Sequence, residues 1–135
     1  MKDTGNLLLG RCRMALPKDW RPPGLLRRFL SAGHMEFFGP DGSSIKFAIG
    51  PICPELTVEE QKRNLERIAS KHGHTVLTTG EIEVAGKKHA TMTCKMPHVG
   101  VLKTYSLILD GIEYLVTAKG DPQVCDAIVR TFRAA

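Results

Sequence analysis

The chain has 135 residues, 42% of them hydrophobic and 24% charged, with a formal net charge of +5. This is the composition of one ordinary globular domain, with no room for two cores of usual size and enough buried surface to fold without disulfides or metal. The longest purely apolar runs, such as Leu7-Leu8-Leu9 and Leu107-Ile108-Leu109, fall far short of the ~20 residues of a membrane-spanning helix, and the run after Met1–Asn6 is too short for the core of a secretion signal, so a cytoplasmic location is expected.

In chain order, a strand is expected near Leu7 to Leu16. The breaker cluster Arg21-Pro22-Pro23-Gly24 follows, and Leu25-Leu26-Arg27-Arg28-Phe29-Leu30 reads either as a short helix or as an apolar, basic loop. Met35 and Phe37 then lead into the turn Gly39-Pro40-Asp41-Gly42, after which Ile45, Phe47 and Ile49 alternate with Lys46, Ala48 and Gly50. That pattern predicts a β-hairpin.

A helix opens at Thr57, with Glu60 three residues on completing a capping box. Its apolar stripe is Val58, Leu65, Ile68 and Ala69, and Gly73 ends it as a left-handed cap. Val76 to Val84 and the run Ala90, Met92, Cys94, Met96 form a second hairpin across Ala85-Gly86, with His89, Thr91, Thr93 and Lys95 predicted on a polar outer face. Val101 to Leu109 is apolar on both faces, as a central strand is. Asp110-Gly111 turns the chain into Ile112, Tyr114, Val116 and Ala118. Asp121-Pro122 starts the closing helix, with Val124, Cys125, Ile128 and Phe132 on one face. Strands joined by tight turns are antiparallel, so the fold class is α+β: an antiparallel, largely meander sheet of about six to seven strands packed with two main helices.

Leu16-Pro17-x-x-Trp20, the hairpin around Pro40-Asp41-Gly42, the helix opening Leu56-Thr57-Val58-Glu59-Glu60, the Gly86 and Tyr105-to-Tyr114 hairpins and the closing Ile128-Val129-Arg130-Thr131-Phe132-Arg133 come in a familiar order. Over nearly the whole chain this order resembles the PsbP/DcrB-like superfamily of small α/β/α sandwich proteins. The resemblance implies that fold. It also implies an accessory or binding role, since members share no active site and include chaperones of secretion effectors. It carries no functional residues onto this chain.

The charge is one-sided. Residues 1–35 carry seven basic side chains against Asp3 and Asp19, and the remaining residues balance at twelve of each sign. Such a field favours acidic partners. No run of Lys/Arg exceeds two residues, a modest density for a phosphate binder, so nucleic acid is disfavoured. A protein partner is expected instead, with Arg21, Arg27, Arg28 and Phe29 as candidate contacts, because arginine and aromatic side chains are enriched in docking surfaces. Trp20 and Phe29 also suit a core.

Cys12, Cys53, Cys94 and Cys125 form no Cys-x-x-Cys pair and read as buried or idle thiols in a reducing compartment. His72-Gly73-His74 sits at a helix end, and Cys94 is followed four residues later by His98. Neither supplies the three or four ligands of a zinc site, so no metal or cofactor is expected. No local catalytic motif is present. The leading expectation is therefore a non-enzymatic binding protein. A chaperone for an apolar helix of a secreted or membrane client would need a sheet face left uncovered. A small-ligand binder or an enzyme with a non-local active site would need a deep pocket.

Overall fold

The structure is a computed structural model and describes residues 1–4, 12–21 and 34–134. Three two-residue strands come first: β1 (Lys2–Asp3), β2 (Cys12–Arg13) and β3 (Ala15–Leu16). They precede β4 (His34–Phe38), β5 (Ser44–Ile52), helix α1 (Val58–Lys71) and β6 (Thr75–Val84). Then come β7 (Lys87–Met96), β8 (Gly100–Leu109), β9 (Ile112–Lys119), helix α2 (Pro122–Arg130) and the short β10 (Arg133–Ala134). The predicted strand near Leu7 to Leu16 is realised as β2 and β3 over its described part. The ambiguous stretch Leu25–Leu30 lies outside the described residues.

The main sheet has six strands in the order β4-β5-β9-β8-β7-β6, antiparallel throughout. The β6-to-β9 run is the predicted meander, and β9 then pairs with β5 of the earlier hairpin. The tight turns carry it. Ala85 and Gly86 both have positive φ, as do Asp110 and Gly111, the conformation that matches the twist of two antiparallel strands. Between β4 and β5, Pro40–Gly42 forms a single 3₁₀ turn. Gly39 is required there because a side chain at that position would meet the Trp20 indole at 2.4 Å.

Both helices start where the sequence predicts. Thr57 accepts from the Glu60 N–H while the Glu60 carboxylate accepts from the Thr57 N–H, closing the capping box. Asp121 accepts from the Gln123 N–H ahead of Pro122. His72 caps α1 and Gly73, at φ 73°, turns the chain out of it.

The two faces of the sheet are buried to different extents. On one face Met35, Phe37, Ile45, Phe47, Tyr105, Leu107, Tyr114 and Val116 pack against Cys125, Ile128, Val129 and Phe132 of the α2 region. Cys12, Met14, Leu16 and Trp20 of the N-terminal segment complete this core. On the other face α1 lays Leu65 and Ala69 onto Ala90, Met92, Cys94 and Leu102. One expectation is corrected here. The alternate positions of β7 form a polar outer face only at one end: Lys95 is exposed and Thr93 partly so, whereas His89 and Thr91 are 0% and 3% exposed. They stand beside Ile82 and Tyr105 in the register of the larger core, and Gly80 leaves room for the Thr91 hydroxyl.

Candidate functional site

Five interstrand spacings of ~4.8 Å make the main sheet about 24 Å wide, whereas a helix with its side chains spans only ~10–12 Å. One helix therefore covers about half of a six-stranded face. α1 lies over β6, β7 and the near side of β8. The β4-β5-β9 half of that face is left uncovered among the described residues.

A groove of about 420 Å³ runs along this boundary. Its helix wall is Leu65, Ile68 and Ala69, and its floor includes Met92, Cys94, Leu102 and Leu115. The strand register explains the composition. One row across the sheet reads Glu36, Lys46, Thr117, Thr104, Met92 and Thr79. It passes from charged at the open edge to apolar beneath α1. Lys119 and Ser44 pair one step further along and line the same groove. Ile68 and Val99 are 41% and 44% exposed where they line it, so the apolar wall continues out to solvent.

The other end of the α1 face is sealed by side chains that stand in for backbone. The β7–β8 ladder stops at the Ala90–Ser106 pair, although β7 reaches back to Lys87 and β8 on to Leu109. Gln61 of α1 inserts its amide there. Its Oε1 accepts from the Ala90 N–H at 3.2 Å, and its Nε2 donates to the Ser106 carbonyl at 2.8 Å. The Ser106 hydroxyl donates in turn to Glu113. On the opposite face His89 fills the gap. Its Nδ1 accepts from the Ile108 N–H and its Nε2 faces the Val84 carbonyl, both at 3.3 Å. A carbonyl only accepts and an N–H only donates, so the ring is neutral with its proton on Nε2.

Burial holds the His89 pKa below its usual value, more strongly than the Val84 hydrogen bond raises it. The folded state therefore favours the neutral ring. The stability this contributes is fully present above the unfolded value near ~6.5 and is lost as pH falls from there towards the folded pKa. Urea midpoints are expected to drop between pH 7.5 and pH 5.5. In His89→Gln, which offers a similar donor and acceptor without titrating, that part of the pH dependence disappears. An equal drop in both proteins would assign the acid sensitivity elsewhere.

Other polar clusters tie the layers together. Lys103 of β8 donates to both Asp126 oxygens of α2, at 2.9 and 3.1 Å, and the Tyr105 hydroxyl donates to the same carboxylate. Burial, and then Asp126, push the Tyr105 pKa upward, so this phenol stays protonated and acts as a structural donor. All four cysteines are free, three of them buried. Burial raises the Cys12 thiol to about 12 and the Cys125 thiol to about 11. Among the described residues no three His, Cys, Asp or Glu side chains converge. No described helix is long and apolar enough to cross a membrane.

The sequence-predicted contact residues fare differently from the groove. Arg21 is exposed, and its backbone exchanges two hydrogen bonds with Phe38 at the outer edge of β4. Arg27, Arg28 and Phe29 lie outside the described residues. Trp20 is 6% exposed and belongs to the core. Residues 1–35 also spend part of their positive charge internally, since Arg13 pairs with Asp3 at 2.6 Å. The groove itself went unread in the sequence. Its one signal is the polar alternation Ser44, Lys46 and Thr117, Lys119 on strands whose other face is wholly apolar.

No known family's sequence pattern matches the chain, and no curated protein matches it in sequence. Solved structures do share its fold. The Ran-binding protein Mog1p of Saccharomyces cerevisiae superposes with a TM-score of 0.66 at 11% identity, covering 98% of this chain and 94% of its own. Cyanobacterial PsbP from Synechocystis gives 0.60 at 10% identity, covering 92% and 86%. A protein from Bacteroides thetaiotaomicron gives 0.63 at 11% identity over 99% of this chain, which spans about half (48%) of that protein's length. The chain thus has the fold that Mog1p and PsbP share, the α+β sandwich expected from the sequence.

Proposed function

We propose that this chain is a non-enzymatic binding protein that holds an apolar segment of a partner protein in the groove beside α1. The observation that carries the reading is the half-covered sheet face, whose apolar wall at Ile68 and Val99 continues into solvent. Lys46 and Lys119 against the single Glu36 on the open side give the groove a net positive flank, suited to a segment with an apolar face and an acidic side chain beside it. The fold likeness to Mog1p, a Ran-binding protein, supports a protein-binding style of function by analogy. A cytoplasmic setting with reduced thiols goes with the reading.

The basic stretch with Arg21, Arg27, Arg28 and Phe29 is the second contact in this proposal. Arg21 leaves the edge of β4 beside Phe38, which is 46% exposed and alternates onto the same face as Glu36. The stretch thus begins at the charged end of the groove face.

The test is affinity capture from native extract at low and high salt, with the unmodified chain, Ile68→Glu and the double variant Arg27→Glu/Arg28→Glu run side by side. Substitutions at exposed positions such as Ile68 cost only a few tenths of a kcal/mol in stability, roughly within ±0.5. A stoichiometric, salt-sensitive partner lost with Ile68→Glu supports docking in the groove. A partner lost only with the arginine reversal moves the contact to the N-terminal stretch. A partner retained by both variants overturns the proposal.

A further inference from the structure

We propose that the groove beside α1 binds a free single-chain carboxylate, the class of the medium- and long-chain fatty acids, with its head on Lys46 and Lys119 and its tail along the apolar floor. The ligand requires no partner protein, so the proposal does not rest on the docking reading, although the two occupants share an apolar body and an acidic group.

The head site is one cell of the β5–β9 ladder. Ser44 pairs with Lys119, and Lys46 pairs with Thr117. These rungs are two residues apart, so their side chains leave the same face of the sheet. The two lysines are therefore diagonal neighbours at about 7–8 Å, a span that long side chains bridge. The hydroxyls of Ser44 and Thr117 take the other diagonal, so all four positions present hydrogen-bond donors. Among the described residues neither ammonium is held in an ion pair, although Glu36 stands opposite Lys46.

The tail site begins beside that cell. The Lys46–Thr117 rung runs on through Thr104 to Met92, and Leu102 is the next residue on the same face of β8. The floor thus turns apolar within two strand spacings, ~10 Å, of the lysine cell. Met92 and Leu102 are 3% and 8% exposed, and Leu65 and Ile68 of α1 wall that end. Ile68 keeps 41% of its surface in water, which a tail lying against it covers. An apolar trough of about 420 Å³ with a few polar groups converging at one end has the build of a small-ligand site, for which roughly 300–1,000 Å³ is typical.

Charge selects the head group. Lys46 and Lys119 against Glu36 leave one positive charge, which a single carboxylate balances through charge-assisted hydrogen bonds. A neutral chain leaves the ammoniums without an acceptor, and a cationic amphiphile meets repulsion. Both lysines are exposed, so the carboxylate reaches them without the desolvation cost of a buried ion pair. Burial of the tail then supplies most of the affinity.

The experiment is isothermal titration calorimetry of the purified whole chain with octanoate, decanoate and dodecanoate, each below its micelle concentration, at neutral pH. One equivalent is expected to bind, with affinity rising about fourfold per added methylene. Lys46→Gln/Lys119→Gln should weaken decanoate binding by about tenfold or more, the cost of losing hydrogen bonds to a charged group, and leave decanol unchanged. Circular dichroism checks that this variant folds. Decyltrimethylammonium and vesicles of phosphatidylglycerol are expected not to bind. The proposal is overturned if decanoate does not bind, if decanol or decyltrimethylammonium binds as tightly, or if the double variant retains decanoate in full. Vesicle binding that the double variant loses would assign the lysines to a lipid surface and overturn it as well. No partner is present in this titration, so its failure leaves protein docking to be judged separately by capture with Ile68→Glu.

Discussion

Phe132→Ala is expected to lower the stability of the chain by about 3–5 kcal/mol, the range for truncating a fully buried phenylalanine. Phe132 is 0% exposed, just beyond the Thr131 cap of α2. Its ring stacks on Phe47 at 5.2 Å and meets Tyr114 edge-on at 5.0 Å, while Phe47 meets Phe37 at 6.1 Å. The aromatic chain therefore links the α2 region to β4, β5 and β9, and its removal opens a cavity that rigid strands cannot close. A loss of this size is a large share of the total for a domain of this length. Urea unfolding at neutral pH provides the measurement. A change under about 1 kcal/mol would show that the core collapses around the missing ring. Phe132→Leu is expected to lose markedly less, because it keeps most of the buried volume.

Gln61→Leu is expected to cost about 2–6 kcal/mol, because it strands two buried backbone groups at once, each worth about 1–3 kcal/mol when left unpaired. The leucine keeps the apolar volume of the α1 stripe, so the loss reports the hydrogen bonds to Ala90 and Ser106 rather than packing. Gln61→Glu separates the two. It retains an acceptor for the Ala90 N–H but has no donor for the Ser106 carbonyl, and it sets a second carboxylate near Glu113, which accepts from the same serine. Hydrogen exchange at the Ala90 amide should accelerate strongly in Gln61→Leu and less in Gln61→Glu. Unchanged exchange in both variants would show that the strands close the gap themselves.

Gln61 also marks where a sequence reading loses the structure. It lies three residues after Val58 and four before Leu65, on the apolar stripe of α1, where a polar side chain is a sign of a buried partner. Nothing nearby in the chain names that partner. Ala90 and Ser106 are 29 and 45 residues away, and they need a side-chain amide only because the β7–β8 ladder stops between them. The same holds for His89. Strand alternation puts it on one face with Thr91 and Thr93, and a polar run of that kind reads as a solvent face. His89 is interior because that face of the sheet carries the larger core.

Cys94 and its neighbouring methionines show the converse case. Alternation along β7 predicts that Ala90, Met92, Cys94 and Met96 share an apolar face, and they do. That this face is half roofed, so that two thioethers, a thiol and His74 line a groove, follows from the width of the sheet relative to a single helix.

What the sequence determined by itself is local. The Thr57–Glu60 capping box, the Asp121-Pro122 start, the Ala85-Gly86 and Asp110-Gly111 turns and the period-two strands are fixed by interactions within a few residues. Those residues carry the required donors, acceptors and backbone freedom wherever the segment sits. The tertiary structure decided the pairing of β5 with β9 across more than sixty residues, the division of the sheet into one covered and one half-covered face, and the gap that Gln61 and His89 fill. These depend on which surfaces meet and how much area each helix can cover, quantities set by the assembled layers rather than by any one stretch of the chain.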